Sequence, residues 1–306
     1  MTLCEIALLR RNHFGDLLCA MPLLLYLQQK HPLAKRTLFV DPYVAPLLPF
    51  LEGYDQVYFF SVKGNRYLQA LSMAWQCRHQ SFDLAIGTKR GPSNFQHFFL
   101  KLLRAKQTIF SSQEGQEHQA LQCLKLITSE FSEVPSALWP RLKIPEKFEL
   151  PPYEGKLFVI SLRSRRERST FPLEKWATLL NTLSRAEKFT AALAVLPSEK
   201  EYALQLQQSL KIPSFVVTAE FSDFLSLLHQ ADLVFSGDGG VMHLTAALDR
   251  PQVVFFGGTS IQKWAPLTNK GLYFYHPYDL SLLADEEIQA GVEAFTKSMN
   301  PLATST

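Results

Sequence analysis

The sequence predicts an α/β protein built from two Rossmann-like, doubly wound domains. Short apolar runs alternate with longer amphipathic segments along the whole chain, which is the pattern of βαβ units in a parallel sheet. The alternation is interrupted once, over residues 133–152, where five prolines indicate an extended connector. A chain of 306 residues is long enough to form two separate cores.

The first half alternates strand and helix patterns and is assigned to a domain over residues 1–150. The predicted strands cover residues 5–9, 37–41, 56–60, 83–87 and 107–110. The predicted helices cover residues 16–30, 66–79, 94–103 and 116–131. Helices of this length between such strands favour a parallel sheet with crossover connections.

The second half repeats the alternation and is assigned to a domain over residues 151–280. Its predicted strands cover residues 157–162, 191–196, 214–217, 232–236 and 252–257. Its predicted helices cover residues 173–185, 199–210, 221–230 and 241–248. The similar segments 82–86 and 231–235 occupy the fourth-strand position in their halves, which predicts two similar domains. The remaining residues, 281–306, contain an amphipathic helix over 281–298 that we expect to pack on the first domain.

Composition favours a cytoplasmic globular protein. The net charge of +3 is too small to suggest a nucleic-acid-binding protein. The longest apolar run, residues 17–27, is too short to span a bilayer, and because the first residues enter a strand pattern directly, no signal peptide is expected. The cysteines have no metal-like spacing and are expected to be buried thiols: Cys4, Cys19, Cys77 and Cys123.

The candidate functional residues follow the predicted strands, at the sheet edge where open parallel sheets bind ligands. The clearest is a glycine turn at residues 238–243, between a buried strand and a helix. Its glycines let a ligand approach the backbone, and the helix N-terminus offers N–H groups to an anion. Asp238 and His243 add side chains for hydroxyls or phosphate, although His243 could instead be a capping or core residue. The turn therefore predicts a site for a phosphorylated ligand.

Three further candidates each have a structural alternative. Residues 163–168 contain four arginines, whose guanidinium groups bind phosphate well, but a charge run is also typical of a solvated loop. Glu201 and Asp16 lie in predicted first helical turns, where an acidic residue also complements the helix dipole. The position of Asp16 directly after Gly15 and the first strand favours a functional role. The sequence has no His, Asp or Glu cluster with metal-ligand spacing, so no metal is expected.

The ordered motifs resemble the ADP-heptose:lipopolysaccharide heptosyltransferase family, glycosyltransferase family 9, over most of the chain. The motifs are Gly15-Asp16 followed by Pro22, Phe171-Pro172 followed by Trp176, Asp238-x-Gly-x-x-His243, Gly257-x-Thr259 and Trp264-x-Pro266. The resemblance implies a GT-B fold, with two Rossmann-like domains facing an inter-domain cleft. It implies inverting transfer of heptose or a related sugar from an ADP-sugar to a lipopolysaccharide core or similar glycan, without a metal or a cofactor beyond this co-substrate.

The resemblance also implies roles for particular residues. Asp16 matches the general base, and Glu201 matches the position that holds the ribose hydroxyls of the nucleotide. The implied donor-binding residues are Ser161, Arg163, Ser164, Arg168, Ser169, Glu201, Asp238, Gly239, Gly240 and His243. The implied acceptor-binding residues are Asn12, His13, Gly15, Lys63 and Arg90. A lipid-linked acceptor would place the protein at the cytoplasmic face of the inner membrane.

The chain departs from the family pattern at several of these positions. Ser169 stands where the family usually has a phosphate-binding lysine, and Gly239 stands where a serine or threonine is usual. Two alternatives therefore stay open: a diverged GT-B protein that binds without transferring, and a sugar-nucleotide epimerase or hydrolase. A Rossmann dehydrogenase is disfavoured, because no Gly-x-Gly-x-x-Gly follows the first strand of either half.

Overall fold

The chain forms two parallel β-sheets, each with helices packed against it, in two separate units. The computed structural model describes residues 3–61, 63–89, 91, 93–110, 115–164 and 169–299. The first unit comprises the described residues up to Leu142 together with Gln262–Leu267. The second comprises Lys143–Ile261 and the described residues from Thr268 onward. The fold class predicted from the sequence is confirmed.

The first sheet has the strand order β3-β2-β1-β4-β5 within the described residues, and all its pairs are parallel. Its strands are β1 (Glu5–Leu9), β2 (Lys35–Val40), β3 (Gln56–Phe59), β4 (Leu84–Gly87) and β5 (Gln107–Phe110). The helices are α1 (Phe14–Lys30), α2 (Arg66–Gln76), α3 (Asn94–Leu102) and α4 (Gln119–Leu124), and a 3₁₀ helix covers Pro42–Phe50. Phe39, Phe60 and Phe99 lie in its buried core.

The second sheet has the order β11-β10-β9-β6-β7-β8, again parallel throughout the described pairs. Its strands are β6 (Lys156–Ser161), β7 (Phe189–Ala194), β8 (Ser214–Val217), β9 (Leu233–Gly237), β10 (Gln252–Gly257) and β11 (Gly271–His276). The helices are α5 (Leu173–Leu183), α6 (Lys200–Ser209), α7 (Phe221–Gln230), α8 (Gly240–Ala247), α9 (Ile261–Trp264) and α10 (Asp285–Ser298). Trp176 is fully buried in its core, edge-on to Phe171 and Phe255. None of the described helices is long and apolar enough to cross a membrane.

The shared strand order places the fourth strand of each unit beside the first, as the matching segments predicted. In the first unit β1 lies between β2 and β4, and in the second β6 lies between β7 and β9. The chain leaves these neighbouring strands towards opposite sides of the sheet, which opens a crevice beyond their carboxyl ends. In each unit, this crevice between the first and fourth strands is a position where a ligand can bind.

Several elements differ from the sequence-based expectation, among them α9, which was not predicted. The helix expected over residues 116–131 is only α4, because Leu126 and Ile127 donate to Cys123 and Leu124 in tighter i→i+3 turns. Strand β11 was missed, since its half-buried aromatic residues do not form a bounded apolar run. The 3₁₀ helix at Pro42–Phe50 was also missed.

The last helix belongs to the second unit, which corrects the expectation that it packs on the first domain. Ile288 and Val292 of α10 are buried in the second core, and the Lys175 ammonium of α5 lies 2.7 Å from the Asp285 carboxylate. The domain boundary also moves from residue 150 to Leu142. The backbone N–H of Phe148 donates to Ser226 Oγ, which ties the end of the connector to α7.

His118 is a partly buried histidine of the first unit whose protonation is expected to be linked to folding. Its Nδ1 accepts from the Ala120 N–H, so its Nε2 carries the proton that it donates to the Ala265 carbonyl, at 2.7 Å. Burial lowers the His118 pKa from its ordinary value of 6.5, against the opposing effect of the Ala265 carbonyl. A second proton is therefore taken up more readily by the unfolded chain than by the folded one.

We predict that thermal stability falls as the pH is lowered through about 6.5 and that His118→Asn flattens this slope. Asparagine keeps an acceptor for the Ala120 N–H but does not titrate. Thermal unfolding followed between about pH 5 and pH 8 tests this. Burial also lowers the pKa of His229, in the second unit. The effect of His118 is therefore the difference between wild type and variant in how the unfolding temperature changes with pH. Identical pH dependence in the two proteins would contradict the role of His118.

Candidate functional site

In the first unit, Asp16 lies in the first turn of α1, directly beyond the carboxyl end of β1. Its Oδ2 accepts a hydrogen bond from the backbone N–H of His13, at 3.3 Å. Asp16 therefore does fill the helix-capping role that was its structural alternative. The other carboxylate oxygen, Oδ1, contacts a second group. An aspartate that only caps a helix does not need this second contact.

The second contact is a buried arginine that sequence reasoning did not assign to the site. Arg10 is 4% exposed, and its Nη2 lies 2.5 Å from Asp16 Oδ1. Its Nη1 donates to the carbonyl of Thr88, which follows β4, at 2.8 Å. The guanidinium thus connects the ends of the two strands that flank the crevice and fixes the carboxylate between them. Since the Asp16 side chain keeps 19% of its surface exposed, a ligand can still reach it.

A second aspartate that the sequence did not reveal orders the loop before α1. Asp41 follows β2, and its two oxygens accept from the Arg11 Nε and the Asn12 backbone N–H, both at 2.8 Å. Asn12 has a φ of +87°, a left-handed conformation that asparagine tolerates better than most residues. Asn12, His13 and Gly15 therefore lie in the same ordered segment as Asp16, and the His13 N–H contacts it directly. The signal for Asp41 was its place at the end of a strand neighbouring β1.

The remaining acceptor candidates lie on loops. Lys63 is exposed, and its carbonyl accepts from Ser61 Oγ and Gln69 Nε2, so the loop backbone is held while the ammonium faces solvent. Arg90 lies outside the described residues. The adjacent backbone is anchored, because the Gln96 amide accepts from the Lys89 N–H and donates to its carbonyl. No described contact connects Lys63 to Asp16.

In the second unit, the glycine turn follows β9, which pairs with β6. Asp238 is 5% exposed, and neither carboxylate oxygen has a hydrogen-bond partner among the described residues. Gly239 is exposed with open space where a side chain would stand, and α8 begins at Gly240 without a side-chain cap. His243 is buried within the first turns of α8. The turn thus presents open backbone N–H groups beside an unsatisfied carboxylate.

Two described residues of the loop after β6, Ser164 and Ser169, are hydrogen-bonded to this turn and to the end of β10 respectively. Ser164 Oγ donates to the Asp238 carbonyl at 2.9 Å, and Ser169 Oγ donates to the Gly257 carbonyl at 3.2 Å. A Cβ on Gly237 would lie 2.2 Å from the Ser169 carbonyl oxygen, so this close approach requires glycine. Ser161 is the buried last residue of β6. The three other arginines of the run, Arg168 among them, lie outside the described residues.

The ends of β6 and β7 are linked by an ion pair that the sequence did not predict. Arg163 Nε lies 3.8 Å from Glu199 Oε1, and the guanidinium lies over the Tyr202 ring, 5.2 Å from its centroid. Burial raises the pKa of Tyr202 from its ordinary value of 10.0, against the opposing effect of Arg163. Glu201 is exposed in the first turn of α6, and no described contact holds it. The structure therefore brings Arg163 to Glu199 rather than to Glu201.

The chemistry of the second site suits an anion with hydroxyl groups. Backbone N–H groups at a helix start hold phosphate, whereas a buried carboxylate without partners is best satisfied by hydroxyl donors. Within the described ranges, no three His, Cys, Asp or Glu side chains are placed to hold a metal ion. The donor set present is thus that of a phosphorylated, hydroxyl-rich ligand.

Comparison with known proteins identifies the second half of the chain most clearly. The model of the family described as "Glycosyltransferase family 9 (heptosyltransferase)" matches residues 146–279. The curated "Lipopolysaccharide heptosyltransferase 1" of Escherichia coli (strain K12) is 29% identical over 110 residues. That match covers 36% of this chain and 34% of the relative, so the chain matches only about a third of the length of this relative.

Solved structures resemble the whole chain. A glycosyl transferase family 9 structure from Veillonella parvula has a TM-score of 0.81 at 15% identity, covering 97% of this chain and 99% of that one. The E. coli heptosyltransferase WaaC with ADP has a TM-score of 0.70 at 18% identity, covering 95% and 99%. At these identities the likeness concerns the fold, which is the two-domain GT-B fold. The chain therefore resembles glycosyltransferase family 9, the heptosyltransferase family, in sequence over residues 146–279 and in fold over most of its length.

Proposed function

We propose that this protein is an inverting glycosyltransferase that transfers heptose, or a related sugar, from an ADP-activated donor to a lipopolysaccharide core or similar glycan. The observation that carries the proposal is the buried carboxylate of Asp238, which has no hydrogen-bond partner among the described residues, beside the open glycine turn. A sugar diphosphate satisfies both features at once. Two structures of one similar protein support the donor class: E. coli heptosyltransferase WaaC is described with ADP and with ADP-2-deoxy-2-fluoro heptose.

The second unit holds the donor in this proposal. The N–H groups of Gly239 and Gly240, at the positive end of α8, bind the diphosphate. Asp238 accepts hydrogen bonds from sugar hydroxyls, and Glu201 accepts them from the ribose. When the bond from the anomeric carbon to the phosphate oxygen breaks, ADP leaves with the electron pair. The helix N-terminus and the arginine run then stabilise its negative charge without a metal or further cofactor.

The first unit supplies the base. Asp16 takes the proton from the acceptor hydroxyl as that oxygen forms its bond to the anomeric carbon. The Arg10 contact at 2.5 Å keeps Asp16 Oδ1 in a fixed orientation, so Arg10 is a positioning residue. A single displacement of this kind inverts the anomeric configuration. Asn12, His13, Gly15, Lys63 and Arg90 are proposed to bind the acceptor, and a lipid-linked acceptor would place the protein at the cytoplasmic face of the inner membrane.

A donor-binding protein that does not transfer is the second candidate. The observation that favours it is Ser169, which stands where the family usually has a phosphate-binding lysine. Ser169 is fully buried, and its hydroxyl is used by the Gly257 carbonyl. If no arginine of the run replaces the missing ammonium, binding would persist while transfer would be lost. Turnover assays separate the two candidates.

For the base, we predict that Asp16→Asn lowers turnover by about 10²-fold or more and leaves ADP affinity unchanged. The matched control is Asp223→Asn, since Asp223 occupies the same third position of α7 and loses the same helix-dipole contribution. ADP release from an ADP-sugar, followed with the acceptor present, measures the effect. Wild-type turnover by the Asp16 variant would remove Asp16 from the mechanism.

For the donor site, we predict that Asp238→Asn weakens binding of an ADP-sugar by about tenfold or more but that of ADP only slightly, because a hydrogen bond to a charged group is lost on the sugar side alone. Glu201→Ala should weaken both ligands equally, through the ribose. Glu286→Ala, an exposed carboxylate on α10, is the control. Calorimetric titration with the two ligands measures these affinities. An equal loss of affinity for ADP-sugar and ADP in Asp238→Asn would contradict the assignment of Asp238 to the sugar.

A further inference from the structure

The outward face of α2 carries an exposed apolar stripe that the proposed reaction does not use. Leu68, Leu71 and Trp75 are 65%, 47% and 68% exposed. They are spaced three and four residues apart, so they lie on one face of the helix. The opposite face is packed normally, since Ala70 and Met73 are buried in the core of the first unit. The stripe therefore belongs to a well-seated helix.

Positive charge is concentrated in the segment that contains this helix. Residues 56–113 include eight lysines and arginines but one acidic residue, Asp83. The Asp83 carboxylate is already paired with the Lys106 ammonium, at 2.8 Å. Because the whole chain carries only +3, the remaining residues together are net negative. The basic residues of the segment are Lys63, Arg66, Arg78, Lys89, Arg90, Lys101, Arg104 and Lys106.

Arg78 is a basic residue of this segment that contacts the apolar stripe directly. Its guanidinium lies 4.3 Å from the centroid of the Trp75 ring, and its Nη1 donates to the Trp75 carbonyl. An exposed tryptophan with an arginine beside it suits the headgroup region of a bilayer, where the ring is half immersed and the cation meets lipid phosphate. An apolar stripe with a cation beside it suits a helix that lies in the membrane surface.

We propose that Leu68, Leu71, Trp75 and Arg78, called here the α2 stripe, are a docking surface for an anionic lipid bilayer. Charge favours this occupant over a second copy of the chain, because a symmetric contact would bring two basic segments together. The helix starts at Arg66, beyond the carboxyl end of β3, so docking would bring the acceptor-binding edge of this unit to the bilayer. That consequence rests on the proposed function, whereas the docking itself does not.

The test is co-sedimentation of the full chain with vesicles of phosphatidylcholine alone or with about 30% phosphatidylglycerol. Wild type is expected to bind the anionic vesicles, and to bind less as salt rises from about 0.1 M to about 1 M. The triple substitution Leu68→Ser, Leu71→Ser and Trp75→Ser should weaken binding by about tenfold or more. Arg78→Gln alone should weaken it by up to about fivefold.

The matched control removes equally exposed apolar side chains elsewhere: Leu33→Ser, Ile144→Ser and Leu282→Ser, at residues 92%, 69% and 66% exposed. It should bind vesicles as wild type does. Unchanged thermal unfolding of the α2 variant shows that it is folded. Unchanged vesicle binding by that variant, or equal binding of wild type to neutral and anionic vesicles, would overturn the proposal.

Two further measurements separate the remaining outcomes. If the stripe joins two copies of the chain instead, light scattering will show a wild-type dimer that the triple substitution dissociates, and the lipid assignment is then wrong. Transfer to a soluble, lipid-free acceptor should be unaffected by the triple substitution. Loss of vesicle binding with intact transfer therefore supports the docking role, whereas absent transfer with intact vesicle binding counts against the proposed function alone.

Discussion

The parallel pairing of the first and fourth strands in each unit is the constraint on which both candidate sites depend. β1 pairs with β4, and β6 pairs with β9, so the connections from each pair diverge and leave a crevice. Every residue with an assigned chemical role follows a strand at this edge. The contacts of Arg10 depend on this pairing. Arg10 can reach both Asp16 and Thr88 only because the ends of β1 and β4 are neighbours.

The two sites differ in how their carboxylates are stabilised. Asp16 has a buried cation on one oxygen and a backbone N–H on the other, which fixes a carboxylate that must act in one direction. Asp238 is more deeply buried and has no partner among the described residues, which is costly unless a ligand supplies hydrogen-bond donors. The first site is thus organised before a ligand arrives, whereas the second is completed by one. A carboxylate held in a fixed orientation suits the general base proposed for the acceptor. A carboxylate that a ligand must satisfy suits the proposed recognition of the sugar.

Sequence patterns predicted what depends on local periodicity and missed what depends on long-range contacts. The strands at residues 5–9, 107–110, 214–217 and 252–257 were predicted with the bounds they have, since each is a short apolar run between turns. Arg10, Asp41 and Glu199 were not assigned to the sites, because their importance comes from partners that other strands bring close. The α10 helix was placed on the wrong unit for the same reason: an amphipathic pattern shows that a face is buried but not against what.

Transfer with inversion is tested by NMR of the products formed from an ADP-sugar and a glycan acceptor. We expect ADP to be released in proportion to acceptor, and the new glycosidic bond to have the anomeric configuration opposite to that of the donor. Retained configuration would contradict the single displacement assigned to Asp16. Free sugar or an isomerised ADP-sugar, formed without any acceptor, would show that the protein catalyses a different reaction.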